Sequence, residues 1–342
     1  MVELNQREQI ILRSVIHSYI FNARPVGSRA VCKLYNLDLS PATIRNTMAD
    51  LEALGLLKQP HTSAGRVPTD LGYRVFVDDL MDRTTLTTRI KEMIEENLSE
   101  PSASLEEVLL RSSALLGRLS QLLGVVISPK FERGVLQKID ISRLSTEKLL
   151  IILAIKSGIA RTILLEIHFS VKDEELEAIS RLLNERLVGL SLRQVREQIS
   201  ERVRDFPPDT RKDLITLFID NADYLFRFEE TGGFYHTGLK TLMMQPEFSR
   251  SESLRSVIEL LEDKKVLVHL LSSVKPEDGV KITIGQENPH RKSRDLSLIS
   301  AAFTIGDNLG TVNVMGPTRM DYPKVFSLVD FTVRTIQKRL NR

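Results

Sequence analysis

Residues 40–74 read SPATIRNTMADLEALGLLKQPHTSAGRVPTDLGYR. Ser40 offers a helix N-cap hydroxyl, Pro41 occupies the first helical position where its missing N–H costs nothing, and Gly55 suits the left-handed position after the last turn. At about 100° per residue, Ile44, Met48 and Leu51 stack as an inward stripe. Ala42, Asn46, Ala49 and Ala53 fall opposite, with Arg45 on their flank. Alanines let a helix approach a surface closely, and an alanine methyl can meet thymine while Arg and Asn read guanine and adenine edges. The plainer reading is that alanine simply favours helix. After the helix, Leu56–Gln59 predicts a strand, His61-Thr62-Ser63-Ala64-Gly65 a small polar tip, and Arg66-Val67 a return strand before Pro68. Helix, strand, turn, strand is the order of a winged helix-turn-helix. A tip with hydroxyls, Gly65 and Arg66 suits close approach to phosphates or a minor groove; the plainer reading is a solvent loop.

Upstream, Asn5 and Glu8 have capping-box spacing. Leu12, Val15, Ile16, Tyr19 and Ile20 then predict a first helix over about residues 5–21, broken before Pro25. Ser28 caps a short second helix ending near Asn36, with Val31 and Leu34 expected inward and Cys32 a small, partly buried residue. Downstream, Thr69 caps a fourth helix whose Tyr73, Phe76, Val77, Leu80 and Met81 share a face. Between Arg24 and Arg66 six Lys/Arg face three Asp/Glu, a local +3 when the whole 342-residue chain is only +2. The basic excess sits at the reader, and it is small enough that two copies are expected to act together.

A chain of this length predicts two or three domains. Cys32 is its one cysteine, which excludes an intramolecular disulfide and a cysteine-based metal cluster. No apolar run reaches the roughly 18–20 residues that span a bilayer, and MVELNQREQ carries no apolar signal core, so a cytoplasmic location is expected. HExxH, GxSxG and GxGxxG are absent, and no enzymatic activity, cofactor or metal is expected. Gly233–Gly238 has the spacing of a phosphate loop, but Leu239 stands where the lysine belongs. His168 and His269 lie in apolar, strand-like runs and read as hydrogen-bonded structural histidines.

Three stretches carry a family resemblance: SPATIRNTMADLEALGLL (40–57), PHTSAGRVPTDLGYRVFVDDL (60–80) and GPTRMDY (316–322). Together they closely resemble the heat-inducible transcription repressors of bacteria, the HrcA family, over about residues 4–335. The resemblance implies a non-enzymatic dimer that binds an inverted-repeat operator called CIRCE ahead of chaperone operons. It implies release on heat stress, with the large chaperonin as modulator. The fold it implies is α+β and multidomain: a winged helix-turn-helix, then a GAF-like α/β domain interrupted by a mainly helical dimerisation domain. The DNA-binding residues it implies are Ser40, Ala42, Thr43, Arg45 and Asn46 on the helix, with Ala49 on the same face, and His61, Thr62, Ser63, Gly65 and Arg66 on the wing.

On that frame the winged helix takes residues 1–82, and the polar stretch 83–104 a linker helix. The GAF-like domain takes 105–171 and 264–342, and the inserted domain 172–263. Leucines from Leu105 to Leu123 predict a long packed helix. GVVISP (124–129), VLQKIDIS (135–142), LLIILAI (149–155) and ARTILLEIHF (160–169) predict strands of the first half of the GAF-like sheet, with a turn at Ser157-Gly158. Three amphipathic helices follow over 172–228 and a fourth over about 250–263, suited either to a dimer interface or to covering the sheet. VLVHLL (266–271), VKITIGQ (280–286) and AAFTIGDNLGTVNVMG (301–316) predict further strands, the last a hairpin turning at Asp307-Asn308, before a final helix from Lys324 to Leu340. A rival from another class is a ligand-responsive winged-helix regulator whose GAF-like domain senses a small metabolite.

Overall fold

Local signals start the first helix, α1 (Gln6–Asn22): the Asn5 side chain accepts the N–H groups of Arg7 and Glu8, and the Glu8 carboxylate accepts the N–H of Asn5. In the computed structural model this helix buries Ile11, Leu12, Val15, Ile16 and Ile20 and stops at Ala23, whose φ is 51°. The structure describes residues 3–35, 38–62, 64–100, 104–129, 131, 134–156, 160–206, 211–227, 233–249, 251–306 and 308–340. Helix α2 (Ser28–Tyr35) buries Val31 but leaves Leu34 62% exposed, against expectation. Only Ser28 and Val31 of this helix are buried; in its last turn Cys32 and Tyr35 are half-buried, while Lys33 and Leu34 face outward. Helix α3 (Pro41–Ala53) follows, then β1 (Leu57–Lys58), β2 (Val67–Pro68) and α4 (Asp70–Val75), which continues as one π-helical turn, Phe76–Leu80. The π turn moves Val77 off the buried face, which Val75, Phe76 and Leu80 occupy instead. Strands β1 and β2 pair antiparallel, and Val26 bridges Arg66 as a third rung. This is a winged helix.

The chain continues through α5 (Thr88–Leu98), α6 (Leu105–Ser120), β3 (Leu123–Ile127), β4 (Leu136–Ser145), β5 (Lys148–Ile155) and β6 (Ala160–Glu166). Next come α7 (Asp173–Leu187), α8 (Leu192–Arg202), α9 (Lys212–Asp220), α10 (Ala222–Leu225), β7 (Phe234–Thr237), α11 (Leu239–Met243), α12 (Ser251–Glu262) and α13 (Lys264–Leu271). The last elements are β8 (Val280–Ile284), β9 (Leu296–Ile305), β10 (Asn308–Pro317) and α14 (Tyr322–Leu340). Two compact units result, one of Met1–Ile127, Phe234–Phe303 and Thr311–Arg342, the other of Ser128–Gly233 and Thr304–Gly310.

In the first unit a five-stranded sheet runs in the order β7-β3-β10-β9-β8, with α6 against β3 and β7. Helix α14 packs on α5 and α6 and buries Val325, Leu328, Val329 and Ile336. The stretch expected as a linker is part of this packing: Ile94 and Leu98 of α5 are wholly buried. VLVHLL is a helix, not a strand. Asp263 caps α13 by accepting the N–H of Val266, and Leu267, Leu270 and Leu271 are buried at helical spacing while His269 is exposed. A six-residue apolar run satisfies either period, and the cap decides.

In the second unit β4, β5 and β6 form their own antiparallel sheet, apart from the five-stranded one they were expected to extend. Each strand pairs with the next along the chain, and the central strand β5 has both of its ladders filled within this sheet. Leu149, Ile151, Leu153 and Ile155 alternate inward along β5, and Asn184 of α7 clamps β4 by bonding both the N–H and the carbonyl of Ile139. The second unit therefore takes in the strands, running from Ser128 to Gly233 before β7, with Thr304–Gly310 joining it. His168 is exposed, so it is no more a buried structural histidine than His269. The Ser157-Gly158 turn and Asp307 lie outside the described residues; Gly306 (φ 56°) leaves β9 and Asn308 opens β10.

Candidate nucleic-acid interface

The candidate interface begins with the cap of α3. The Ser40 hydroxyl accepts the N–H of Thr43 at 3.1 Å and bonds the Thr43 hydroxyl at 3.0 Å, so both side chains are committed to starting the helix. Pro41 stands at its first position and Gly55 beyond its end has φ 73°. Ile44, Met48 and Leu51 are buried as the spacing requires, joined by Thr47, whose hydroxyl donates to the Thr43 carbonyl. Ala42, Arg45, Asn46, Ala49 and Ala53 are all exposed. An open strip of small side chains flanked by one guanidinium and one amide remains, with both polar groups free to meet a ligand.

The wing is built differently. Arg66 is mostly buried and its Nη2 lies 2.8 Å from Glu52 Oε2 on α3. Glu52 Oε1 accepts the N–H of Gln59 at 3.0 Å, and the Gln59 amide donates to the carbonyls of Thr62 and Ala64, each at 2.9 Å. One carboxylate thus ties the end of α3 to both arms of the wing. The Arg66 backbone exchanges two 2.9 Å hydrogen bonds with Val26. Gly65 is drawn against that pair, and a Cβ there would stand 2.4 Å from the Val26 carbonyl. His61 and Thr62 are exposed at the tip; Ser63 lies outside the described residues. Arg24, Arg29, Lys33, Arg45 and Lys58 are exposed and form no ion pair among the described residues. Because Arg66 and Glu52 cancel, those five cations against Asp38 and Asp50 preserve the local excess of +3.

The chain matches two family descriptions, "Winged helix-turn-helix transcription repressor, HrcA DNA-binding" over residues 3–80 and "HrcA protein C terminal domain" over residues 106–326. A "Heat-inducible transcription repressor HrcA" of Chlorobium chlorochromatii is 39% identical over 346 residues, covering 99% of this chain and 98% of the relative. The protein so named in Pelotomaculum thermopropionicum is 34% identical, covering 100% of this chain and 98% of the relative. The chain belongs to the HrcA family. That family consists of heat-inducible transcription repressors and not of enzymes. A crystal structure of a hypothetical protein at 2.2 Å resolution shares the fold over 99% of both chains, with a TM-score of 0.75 and 24% identity.

In this HrcA-family chain the structure brings together the helical strip and the wing tip, but it withdraws Gly65 and Arg66 into the frame that holds them. Glu52 and Gln59 went unnoticed in the sequence. The partners of Glu52 lie 7 and 14 positions away, across a turn whose geometry no local pattern prints. The phosphate-loop spacing at Gly233–Gly238 has a packing explanation: β7 fills it, and a Cβ on Gly238 would stand 2.1 Å from the Leu122 carbonyl oxygen. Among the described residues no helix is long and apolar enough to cross a membrane, and no cluster of His, Cys, Asp and Glu could hold a metal ion.

Proposed function

We propose that this chain represses chaperone operons in the cytoplasm by binding an inverted-repeat operator as a homodimer, with α3 of each copy in a major groove. The open strip of Ala42, Arg45, Asn46 and Ala49, capped by Ser40 and set beside a braced wing, carries this reading. Arg45 and Asn46 contact base edges, the alanines allow the helix to seat, and the hydroxyls of Ser40 and Thr43 fix the start of α3 beside the phosphates. His61, Thr62 and Ser63 approach the backbone or minor groove, while Gly65 and Arg66 set the wing's shape. A local charge of +3 gives one copy modest affinity, and two copies on a dyad supply the rest.

The large chaperonin keeps the repressor in its binding form, and heat or unfolded client proteins relieve repression by withdrawing it. A footprint of the purified protein on the promoters of its own chaperone operons tests the first statement. Two protected half-sites related by a dyad are expected, and a one-sided footprint or none would overturn it. Recovery of operator binding after heating should be greater with purified chaperonin than without; equal recovery would remove the chaperonin from the scheme.

A further inference from the structure

The GPTRMDY stretch takes no part in reading DNA, yet its arginine reaches the reading head. Arg319 Nε lies 2.5 Å from Glu247 Oε1, and Nη2 donates to Glu247 Oε2 at 3.2 Å and to Gln245 Oε1 at 3.1 Å. Its Nη1 donates to the Ile20 carbonyl at 2.6 Å. That carbonyl belongs to the last turn of α1, where no intrahelical N–H is left to serve it. The guanidinium, 11% exposed, therefore joins the end of the head's first helix to the segment between α11 and α12.

Further contacts from α4 hold the head. Tyr73 of α4 packs on Tyr322 with ring centroids 5.6 Å apart. Arg74 grips Glu287 through Nε at 2.7 Å and Nη2 at 2.5 Å and donates to the Ile282 carbonyl, while Asp70 accepts the N–H of Gln286. The head is thus attached at the end of α1, at the start of α4 and in the middle of α4, and a change in its angle strains these contacts. All three leave Ala42, Arg45, Asn46 and Ala49 exposed.

We propose that Arg319 is a positioning residue that fixes the angle of the reading head, and that it thereby sets which half-site spacing the dimer accepts. The inference rests on the inverted-repeat reading above. A planar fork holding a carboxylate and a carbonyl at once suits this task, which a lysine's point charge does not. Full-length protein is titrated against three labelled duplexes: one half-site, the inverted repeat from its own chaperone promoter, and that repeat lengthened by about five base pairs, half a turn.

The unaltered protein is expected to prefer its native spacing by about 100-fold, the gain from simultaneous engagement. Arg319→Gln is expected to bind the half-site as before while that preference falls about tenfold or more, and Arg319→Lys is expected not to restore it. Breaking a buried pair can unfold the head, so Arg74→Gln, at the more exposed clamp, runs beside it with thermal melts. If Arg319→Gln is unfolded at the assay temperature, the Arg74→Gln spacing preference decides. Unchanged preference in folded variants overturns the positioning role, and tighter half-site binding overturns it by showing the contact to be a block. An unaltered protein indifferent to spacing overturns the inverted-repeat reading and the positioning role with it.

Discussion

On α3, Arg45 and Asn46 are exposed and unpartnered, whereas on the adjoining wing Arg66 is held by Glu52 and its backbone is bonded to Val26. Both segments contain an arginine among small residues, and from residue type alone they look interchangeable as DNA contacts. The difference is in what each side chain has already been given to do. A guanidinium in a partly buried ion pair loses that pair if it moves to a phosphate, so its contribution is to shape. A guanidinium in water loses only hydration. The helix keeps its polar groups open, and the wing spends its arginine on bracing.

The largest expected effect tests the bracing directly. Gly65→Ala places a methyl 2.4 Å from the Val26 carbonyl and should cost the folded head about 2–3 kcal/mol, measured by chemical denaturation. An unchanged midpoint would mean that the wing is a free loop after all. Next, Arg45→Ala should cost about 1–3 kcal/mol of operator binding per half-site and relax specificity, with no change in melting, because the side chain is exposed. Equal losses on operator and random DNA would reduce Arg45 to a phosphate contact and erase its distinction from a surface lysine.

Arg66→Ala should then show the opposite profile. It loses about 1 kcal/mol of stability with the Glu52 pair, and the salt dependence of binding hardly changes. A salt slope smaller by about 0.9 would put the guanidinium on a phosphate and merge wing with helix. The smallest effect concerns His17 of α1, which meets Phe76 edge-on at 5.5 Å and whose pKa burial holds below the ordinary histidine value. The unfolded chain takes up a proton more readily than the folded one, so stability should fall as pH drops through about 6.5 and below. His17→Gln should flatten that slope between about pH 5.5 and about pH 7.5 while leaving base reading intact. A shift in operator specificity would contradict the separation.

Where function depended on local chemistry, the residues announced it. Asn5 with Glu8, Ser40 with Pro41, and Thr69 each cap the helix their spacing promised, and the inward stripe of α3 is buried residue for residue. What escaped was whatever depended on a distant partner. Arg66 looked free because Glu52 lies across a turn; β4 to β6 looked like half of one sheet because a strand does not declare its neighbour. Leu34 looked inward because periodicity cannot say where a short helix outruns its support. For α13 the local signal favours a helix, since Asp263 can cap it and Leu267, Leu270 and Leu271 fall at helical spacing.

Strand β3 leaves at Ile127 and β7 returns at Phe234, and these two residues stand opposite each other in the ladder, with the Ser128 N–H bonded to the Gly233 carbonyl at 2.8 Å. Seen from the sheet, everything between them is the loop of a hairpin, and the free energy of closing a loop grows only slowly with its length. Cut at Ser128 and Gly233, it is a cassette with adjacent ends. A short turn across the gap should leave β3 and β7 paired, with the Thr304–Gly310 tip the other stretch to be re-covered. A winged helix mounted on such a body can exchange that middle for another without altering a residue of α3 or of the wing.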